Sequence, residues 1–287
     1  RRGRAKAAKA HGGSAGSESA VELALQWLAR KQEIGGHWNI AALGEGLDET
    51  VRPPSNHSVA LTGLAALAFQ GAGYGHKTGK YKTTVRKALD WLTKTQNEES
   101  GAFHANMYEH GIATFALADA RRLTGDAKLE PYLGRGIRYI HRAQSKKLGG
   151  WRYTAGHDSD TSVTGWQVLA LSTAKGVVKI PRRVRKGISD WMGRATAKDG
   201  RTGYTSAGGA SPVTTAVGVT IRLFMGSRRS SKLVKMGASH IPSYLDAQLQ
   251  SKNFYFLYYG SLAMFQMGGE KWKPWNKKVR DSLIEWQ

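Results

Sequence analysis

The chain has 287 residues, 40% of them hydrophobic and 22% charged, and its 43 Lys and Arg against 21 Asp and Glu give a formal net charge of +22. This composition excludes a disordered chain, and the lack of cysteine excludes disulfides, thiol catalysis and thiolate zinc sites. The excess of positive charge predicts an anionic partner, namely nucleic acid, an acidic polysaccharide or an anionic lipid surface. Since no apolar run approaches membrane-spanning length, we expect no transmembrane segment.

Residues 1–17 contain five basic side chains among Ala, Gly and Ser, and no acidic residue precedes Glu18. The stretch lacks the apolar core of a secretion signal. We therefore expect a flexible basic arm over residues 1–17, followed by one domain over residues 18–287. The chain begins at Arg1 rather than Met, so we expect that upstream residues have been lost, which leaves the compartment open.

An internal repeat organises the rest of the chain. Amphipathic stretches centred on an aromatic residue recur at intervals of 64, 48, 52 and 53 residues. The first three carry a Gln five residues later, and a glycine-rich turn that ends in an aromatic residue follows. The central aromatic residues are Trp27, Trp91, Tyr139, Trp191 and Tyr244, and the glutamines are Gln32, Gln96 and Gln144.

Each unit then contains a second apolar segment, over residues 55–70, 106–121, 160–174, 211–226 and 254–268. The fourth segment is rich in Val and Thr and by itself favours a strand, but its siblings predict a helix. Several of these segments are apolar on most faces, as in helices buried all round, whereas the first helices carry a polar face. The pattern predicts an all-α fold, an α/α toroid of about five to six helical hairpins in two concentric rings.

The segment Lys87-Ala88-x-x-Trp91-Leu92-x-x-x-Gln96 followed by Gly101-x-Phe103 resembles the QW motif of squalene–hopene cyclases. Residues 20–287 resemble the prenyltransferase and squalene-oxidase repeat family, and the segment from Asn253 is similar to bacterial members of unassigned activity. The resemblance implies an α/α toroid but no single function, because the fold hosts cyclases, protein prenyltransferases, thioester domains and polysaccharide lyases. The chain ends in what looks like the start of a sixth unit, so we expect either that it continues or that an extra helix closes the ring.

The first candidates for chemistry are Asp158 and Asp160, which open the third inner helix. The resemblance implies an Asp-x-Asp-Asp acid that protonates an alkene, and such an acid must be kept neutral by burial. This chain has Thr161 at the third acidic position, or Ser162 at the central one in the other register. The alternative, which we favour, is that one of these aspartates caps the helix, as Ser55, Asn106, Ser211 and Asn253 would cap the sibling helices.

A second candidate cluster, Asn106, Tyr108 and His110, lies at the start of the second inner helix. Such groups resemble the set with which α/α-toroid polysaccharide lyases neutralise a uronate and abstract its proton. The alternative is that the Tyr and His side chains pack in the interior. No metal or cofactor is predicted, since prenyltransferase zinc needs a Cys ligand that the chain lacks.

Aromatic residues crowd the last inner helix, where they either pack in the core or line a central cavity that holds an isoprenoid or a sugar. The residues predicted to line such a cavity are Trp166, Phe254, Tyr255, Tyr258 and Tyr259.

The connections between hairpins contain 26 of the 43 basic residues. Because these connections share one end of a toroid, they predict a basic rim for a polyanion. The alternative is that cations near helix C-termini complement the helix dipoles. The predicted anion-binding residues are Arg121, Arg122, Arg182, Arg183, Arg185, Lys186, Arg228 and Arg229. The function we favour is a binding or scaffold module with this rim; the alternative is an enzyme that acts in the central cavity, either a degenerate class II cyclase or a lyase on acidic polysaccharide.

Overall fold

The structure, a computed structural model, describes residues 8–43 and 56–287, apart from the side chain of Ala42. Across these two ranges the chain is helical, without a strand and with three isolated β-bridges. The prediction of an all-α toroid is therefore confirmed. The main helices are α1 (Ala15–Arg30), α2 (Ser58–Gly71), α3 (Lys82–Thr95), α4 (Met107–Thr124), α5 (Glu130–Arg142), α6 (Thr161–Thr173), α7 (Arg182–Ala195), α8 (Pro212–Phe224), α9 (Lys232–His240), α10 (Leu245–Gln250), α11 (Phe254–Met267) and α12 (Gly269–Glu285).

The inner layer consists of α2, α4, α6, α8 and α11, each of which packs against the next. Glycine allows the close approach: a Cβ atom on Gly111 would come within 2.4 Å of Gln167 of α6, and one on Gly165 within 2.7 Å of Val217 of α8. The segment over residues 211–226 is helical, as its siblings predicted, although Val and Thr favour strands. Packing between two helices therefore overrides local propensity in α8.

The outer helices α3, α5 and α7 are amphipathic and bury one stripe each, which in α3 consists of Val85, Ala88, Leu89 and Leu92. The fifth outer element is broken: α9 and α10 flank a 3₁₀ turn over Ile241–Tyr244, which contains Pro242. A proline ring inside a helix removes one hydrogen bond and clashes with the preceding turn, which accounts for the weak fifth copy of the repeat.

The first and last helices pack against each other, so the ring closes through the outer layer. The Trp272 indole N–H donates to His11 O (3.0 Å), and Arg280 Nη1 donates to Gly12 O (2.6 Å). Residues 11 and 12 belong to the predicted basic arm, and these bonds attach them to α12. Of the rest of that arm, residues 1–7 lie outside the described residues, and α1 already begins at Ala15.

The predicted inner helices match those of the structure within three residues at the ends that are described. Ser55, the predicted cap of the first inner helix, lies outside the described residues, and His57 precedes that helix without a side-chain capping bond. Asn106, Ser211 and Asn253 accept backbone hydrogen bonds at the start of α4, α8 and α11. For these three, the predicted caps are confirmed.

Candidate functional site

The toroid has two ends of different character. The turn end comprises residues 31–39, 96–106, 143–160, 196–211 and 251–253; the connection end comprises the five links that lead from each inner helix into the next outer helix, together with the first turn of that helix. Neighbouring turns bond to each other, since Thr161 N donates to Tyr204 O (2.9 Å). Neighbouring links do so too, since the Lys175 amine donates to Phe224 O (3.3 Å). The third and fourth links therefore lie next to each other.

The repeated glutamines connect the turn that follows one outer helix to the first turn of the next outer helix. The Gln144 amide donates to Gly149 O (2.7 Å) in its own turn and to Val184 O (3.0 Å) in the first turn of α7. Gln96 and Gln32 make the equivalent pair of bonds to the turn that follows each of them and to α5 and α3. The glutamine of the sequence repeat is thus a structural cross-link rather than a group available for chemistry.

A second repeated bond identifies His110 as structural. The backbone N–H after each glycine turn donates to one side chain of the inner helix, which is Thr62, Thr164 or Thr215 in three units. His110 takes this position in the second unit: its Nδ1 accepts from Phe103 N (3.1 Å), and its Nε2 lies 3.1 Å from Gly136 O. Burial lowers the pKa of His110 to about 4, so the ring stays neutral.

Asp160 caps the N-terminus of α6, which is the alternative that we favoured from the sequence. Its Oδ1 accepts from Val163 N (2.7 Å), and its Oδ2 accepts from the Tyr204 hydroxyl (3.2 Å). The residue is fully buried. Burial raises the pKa of Asp160 to about 6, although the hydrogen bonds from Val163 and Tyr204 oppose that rise.

Asp158, by contrast, is half-exposed and accepts from Arg152 Nη1 (2.8 Å). The bond from Ser159 N and the Arg152 guanidinium lower the pKa of Asp158. Arg152 also lies over the rings of Tyr153 and Tyr204, at 6.0 and 5.8 Å from their centroids. Sequence reasoning missed Arg152, Tyr153 and Tyr204, because they belong to turns about fifty residues apart that only the toroid brings together.

The three residues of the predicted lyase set make separate contacts in the structure. Asn106 caps its own helix by accepting from Tyr108 N (2.9 Å). The Tyr108 ring packs edge-on against Trp166 of α6, at 6.0 Å. His110 instead bonds to Phe103 and Gly136, on the side of α5. A helix turns by about 100° per residue, so positions 108 and 110 leave opposite faces.

The predicted aromatic wall divides into a buried cluster and an exposed part. Trp166 stacks on Tyr258 (5.6 Å, 18° between ring planes) and meets Tyr259 edge-on. Trp166 and Tyr259 are buried, whereas Phe254 and Tyr258 are exposed by 58% and 37%. Three groups in the cluster are buried without a hydrogen-bond partner among the described residues: the Trp166 indole N–H and the hydroxyls of Tyr255 and Tyr259.

An apolar groove of about 540 Å³ lies between α1, α11 and α12. Val21 and Ala24 of α1, Phe254 of α11 and Leu283 of α12 line it. Of the predicted cavity residues, Phe254 lines this groove, and Tyr258 lines an adjoining hollow on α11. None of the five predicted catalytic residues lines either one.

The connection end is not uniformly basic, because three of its five links carry acidic partners. Arg121 pairs with Glu130 (2.6 Å) and Arg122 with Asp119 (2.7 Å), so each of these two predicted anion-binding residues has a carboxylate partner within the protein. Lys77 of the first link pairs with Asp126. In the fifth link and along the helix α12 that follows it, Lys273 pairs with Glu270, Lys277 and Arg280 pair with Asp281, and Lys278 pairs with Asp246.

The third and fourth links differ. Their residues 175–186 and 222–235, which we name the cationic arc, contain eleven basic residues and no acidic one. Among the described residues, its sole ion pair joins Lys186 to Asp190 (2.7 Å). Arg222 is partly buried and donates to Met192 O (3.0 Å), whereas the other ten basic residues are exposed. Six of the predicted anion-binding residues lie in this arc: Arg182, Arg183, Arg185, Lys186, Arg228 and Arg229.

In the part of the chain that the structure describes, no helix is both long and apolar enough to cross a membrane. The same residues include no group of three His, Asp or Glu side chains arranged as a metal site. His157, Asp158 and Asp160, which are close together in the sequence, therefore do not form such a group.

The protein therefore belongs to the class of helical α/α toroids. Two solved structures align with parts of it. One, a polysaccharide lyase, aligns with 65% of this chain and 60% of its own at 11% identity and a TM-score of 0.45. Another, a protein from Actinoplanes, aligns over 79% of this chain and 80% of its own at 15% identity and a TM-score of 0.38. No family model matches the sequence, and the curated proteins include no match. These distant likenesses concern fold and carry no argument about activity.

Proposed function

We propose that the protein is a binding module of the squalene-cyclase-like repeat type and that its cationic arc docks on a polyanion. The observation that carries this proposal is the arc itself, in which eleven basic residues are accompanied by one ion pair in the described part of the chain. The other links show that this sequence supplies acidic partners where a cation is to be neutralised. Helix dipoles do not account for the difference, because all five links follow an inner-helix C-terminus.

The polar groups of the turn end support binding rather than catalysis. Asp160 and His110, the most buried of the catalytic candidates, both serve as acceptors for backbone N–H groups. A general acid or base must reach the proton that it transfers, and both side chains are fully buried. The arc, in contrast, is accessible.

The test compares two triple charge reversals. Changing Arg182, Arg228 and Arg229 to Glu alters the arc; changing Lys146, Lys147 and Lys198 to Glu makes the same charge change on exposed residues of the turn end. Wild-type binding to heparin, polygalacturonate and duplex DNA is measured by fluorescence anisotropy at a series of salt concentrations. We expect micromolar binding at low salt that weakens steeply with ionic strength, because each neutralised phosphate releases roughly 0.9 counterions.

The arc reversal should weaken binding by more than about tenfold. The turn-end reversal should weaken it by less than about threefold, because salt screens the effect of charges that lie far from the bound polyanion. Equal losses in both variants would show that net charge alone drives the interaction. A variant that lacks residues 1–7 separates the arm from the arc. If that deletion abolishes binding while the arc reversal leaves it intact, the proposal fails.

A second candidate function rests on the apolar groove. Its volume of about 540 Å³ lies within the range of small-molecule sites, and its lining is mostly apolar. The function would be to hold a hydrophobic ligand such as an isoprenoid. A site that binds the folded state raises the free energy of unfolding by about 2.7 kcal/mol at a hundredfold excess over Kd.

Farnesol serves as an uncharged probe of the groove. It should raise the melting temperature of the wild type, and Ala24→Trp, which fills the groove, should remove that rise. Ala105→Trp places the same bulk on the exposed turn end as a control. Failure of farnesol to stabilise the wild type, or equal stabilisation of the Ala24→Trp variant, would leave the groove without this role.

A further inference from the structure

Within the cationic arc, the third link folds around a cleft of about 400 Å³. Three cationic side chains line it, those of Lys175, Lys179 and Arg185, and its other lining residues are Gly or apolar. No acidic residue occurs between Lys175 and Lys186, and within the described residues none of the three cations forms an ion pair. The cleft is thus a concave surface with three positive charges and no internal counter-charge.

Two of these side chains are held in place by backbone contacts. The Lys175 amine donates to Phe224 O of the neighbouring link (3.3 Å), and Arg185 Nε donates to Ile180 O (3.3 Å). Anchoring through Nε leaves both terminal nitrogens of the guanidinium as further donors. Gly176, with a φ of +94°, makes the bend that starts the link.

The N-terminus of α7, the helix that follows this link, adds to the positive electrostatic potential at the cleft. Pro181 occupies the N-cap of α7 and makes no side-chain capping bond, so the first N–H groups of that helix gain no side-chain acceptor there. The N-terminus of a helix carries a partial positive charge. This field only reinforces the three cations that define the cleft.

We propose that this cleft is a specific subsite for a tetrahedral oxyanion, the phosphate or sulfate group of a larger ligand. A carboxylate offers one charge and two oxygens in a plane, whereas a phosphate monoester carries about −1.5 to −2 at neutral pH with three terminal oxygens as acceptors. Three separate cationic donors are best satisfied by the second geometry. The inference rests on the proposed polyanion-binding function and assigns its ligand class, namely phosphorylated or sulfated rather than carboxylated polymers.

Inorganic phosphate, pyrophosphate and sulfate are the probes, titrated into the whole chain by isothermal calorimetry at low salt. Lys175→Gln, Lys179→Gln and Arg185→Gln are combined in one variant. Arg228→Gln, Arg229→Gln and Lys232→Gln in the fourth link form the matched control. We expect saturable 1:1 binding by the wild type, at least a tenfold loss in the cleft variant and less than a twofold loss in the control. Lys179→Gln alone, on an exposed side chain, keeps the test valid if the triple variant does not fold.

The pH dependence separates the two anions. Inorganic phosphate should bind more tightly at pH 8 than at pH 5.5, because it changes from a singly to a doubly charged anion between these two pH values, while sulfate should show no such change. If binding does not saturate, or if it falls equally in the cleft and control variants, the anions are attracted by the overall positive charge and not by a specific site. Either result would overturn the inference. If heparin then still binds to the arc, the proposed function survives. If heparin fails to bind while pyrophosphate saturates the cleft, the function fails and the subsite stands.

Discussion

The turn end and the connection end of the toroid use their polar side chains differently. At the turn end, glutamine, threonine, histidine and aspartate are buried and bonded to backbone groups of neighbouring units. In the cationic arc, ten of eleven basic side chains are exposed, and the described residues supply one carboxylate partner. The buried polar groups of the turn end therefore hold successive units together. In the arc a few cations also bond to a neighbouring unit, but most of the basic side chains are exposed.

This contrast predicts that substitutions at the turn end change stability, whereas those in the arc change binding.

The largest effect is expected at His110. Its pKa in the folded state, about 4, lies below the ordinary value of 6.5 because the ring is buried. Stability from the neutral ring is fully present above about pH 6.5 and is lost as the pH falls toward 4, which amounts to about 3 kcal/mol at 1.4 kcal/mol per pKa unit. His110→Thr restores the residue type of the sibling units, so its unfolding free energy should lose less on going from pH 7 to pH 4.5.

Urea unfolding of both proteins at several pH values measures this difference. Part of the acid sensitivity should persist, since burial also lowers the pKa of His141 to about 4. An unchanged pH profile in His110→Thr would mean that the ring is not the buried neutral acceptor described above.

Asp160 should change the pH dependence of the unfolding free energy in the opposite direction to His110. Burial raises its pKa in the folded state to about 6, from an ordinary 3.8. Its contribution is fully present below about pH 4 and is lost as the pH rises through 6, by about 3 kcal/mol. Asp160→Asn keeps an oxygen that can accept from Val163 N but has no carboxyl that ionises. The stability of the variant relative to the wild type should therefore increase as the pH rises from 4 to 7.

Thermal unfolding across that range measures the gain of Asp160→Asn. Asp160→Ala is the control, because it removes both the cap and the titrating carboxyl. Its unfolding free energy should show the same reduced pH dependence as that of Asp160→Asn and should lie about 0.5–2 kcal/mol below it at every pH. A variant that instead loses stability as the pH rises would imply an ionised carboxylate that the fold requires.

A smaller effect is expected from the glutamine cross-link. Gln144→Leu leaves Gly149 O and Val184 O without their donor inside the protein, which should cost about 1–3 kcal/mol. Gln32→Leu should cost less, since Gln32 is only half-buried and water can reach the freed carbonyls. Chemical denaturation of the two variants compares them directly, and equal costs would argue against burial as the cause.

The smallest effect on stability is expected in the arc. Changing Arg228, Arg229 and Lys232 to Gln should alter the free energy of unfolding by less than about 0.5 kcal/mol, as for most exposed substitutions. Relief of repulsion would give a slight increase at low salt. A decrease above 2 kcal/mol, seen by the same denaturation, would mean that these cations also hold the links together and that the two ends do not divide the roles.

Much of the fold follows from the sequence repeat. The aromatic residue, the Gln five positions later and the glycine turn locate the outer helices and their turns. In each unit that carries it, the Gln makes the same bond to the glycine turn that follows. The inner helices follow from their apolar composition, and α8 could be assigned only by analogy with its siblings. The cap at Asp160 was predictable because Asp before an apolar helix provides an acceptor for free N–H groups.

The candidate site was less predictable. Asn106, Tyr108 and His110 are near neighbours in sequence, yet the helix turns them to different partners. Arg152, Tyr153 and Tyr204 meet only because adjacent turns of the toroid lie side by side. Sequence proximity and spatial proximity coincide along one helical face, not across units.

The sequence by itself determined the helical class, the repeat and the excess of basic residues in the links, since these depend on composition and spacing along the chain. Only the tertiary structure decided which of those charges are compensated. Arg121 lies at the end of α4, before the second link, and Arg182 lies at the start of α7, after the third link. Glu130 comes within reach of Arg121, whereas no carboxylate of the described residues pairs with Arg182. An ion pair requires two atoms within about 4 Å, and that distance depends on how separate turns and helices pack.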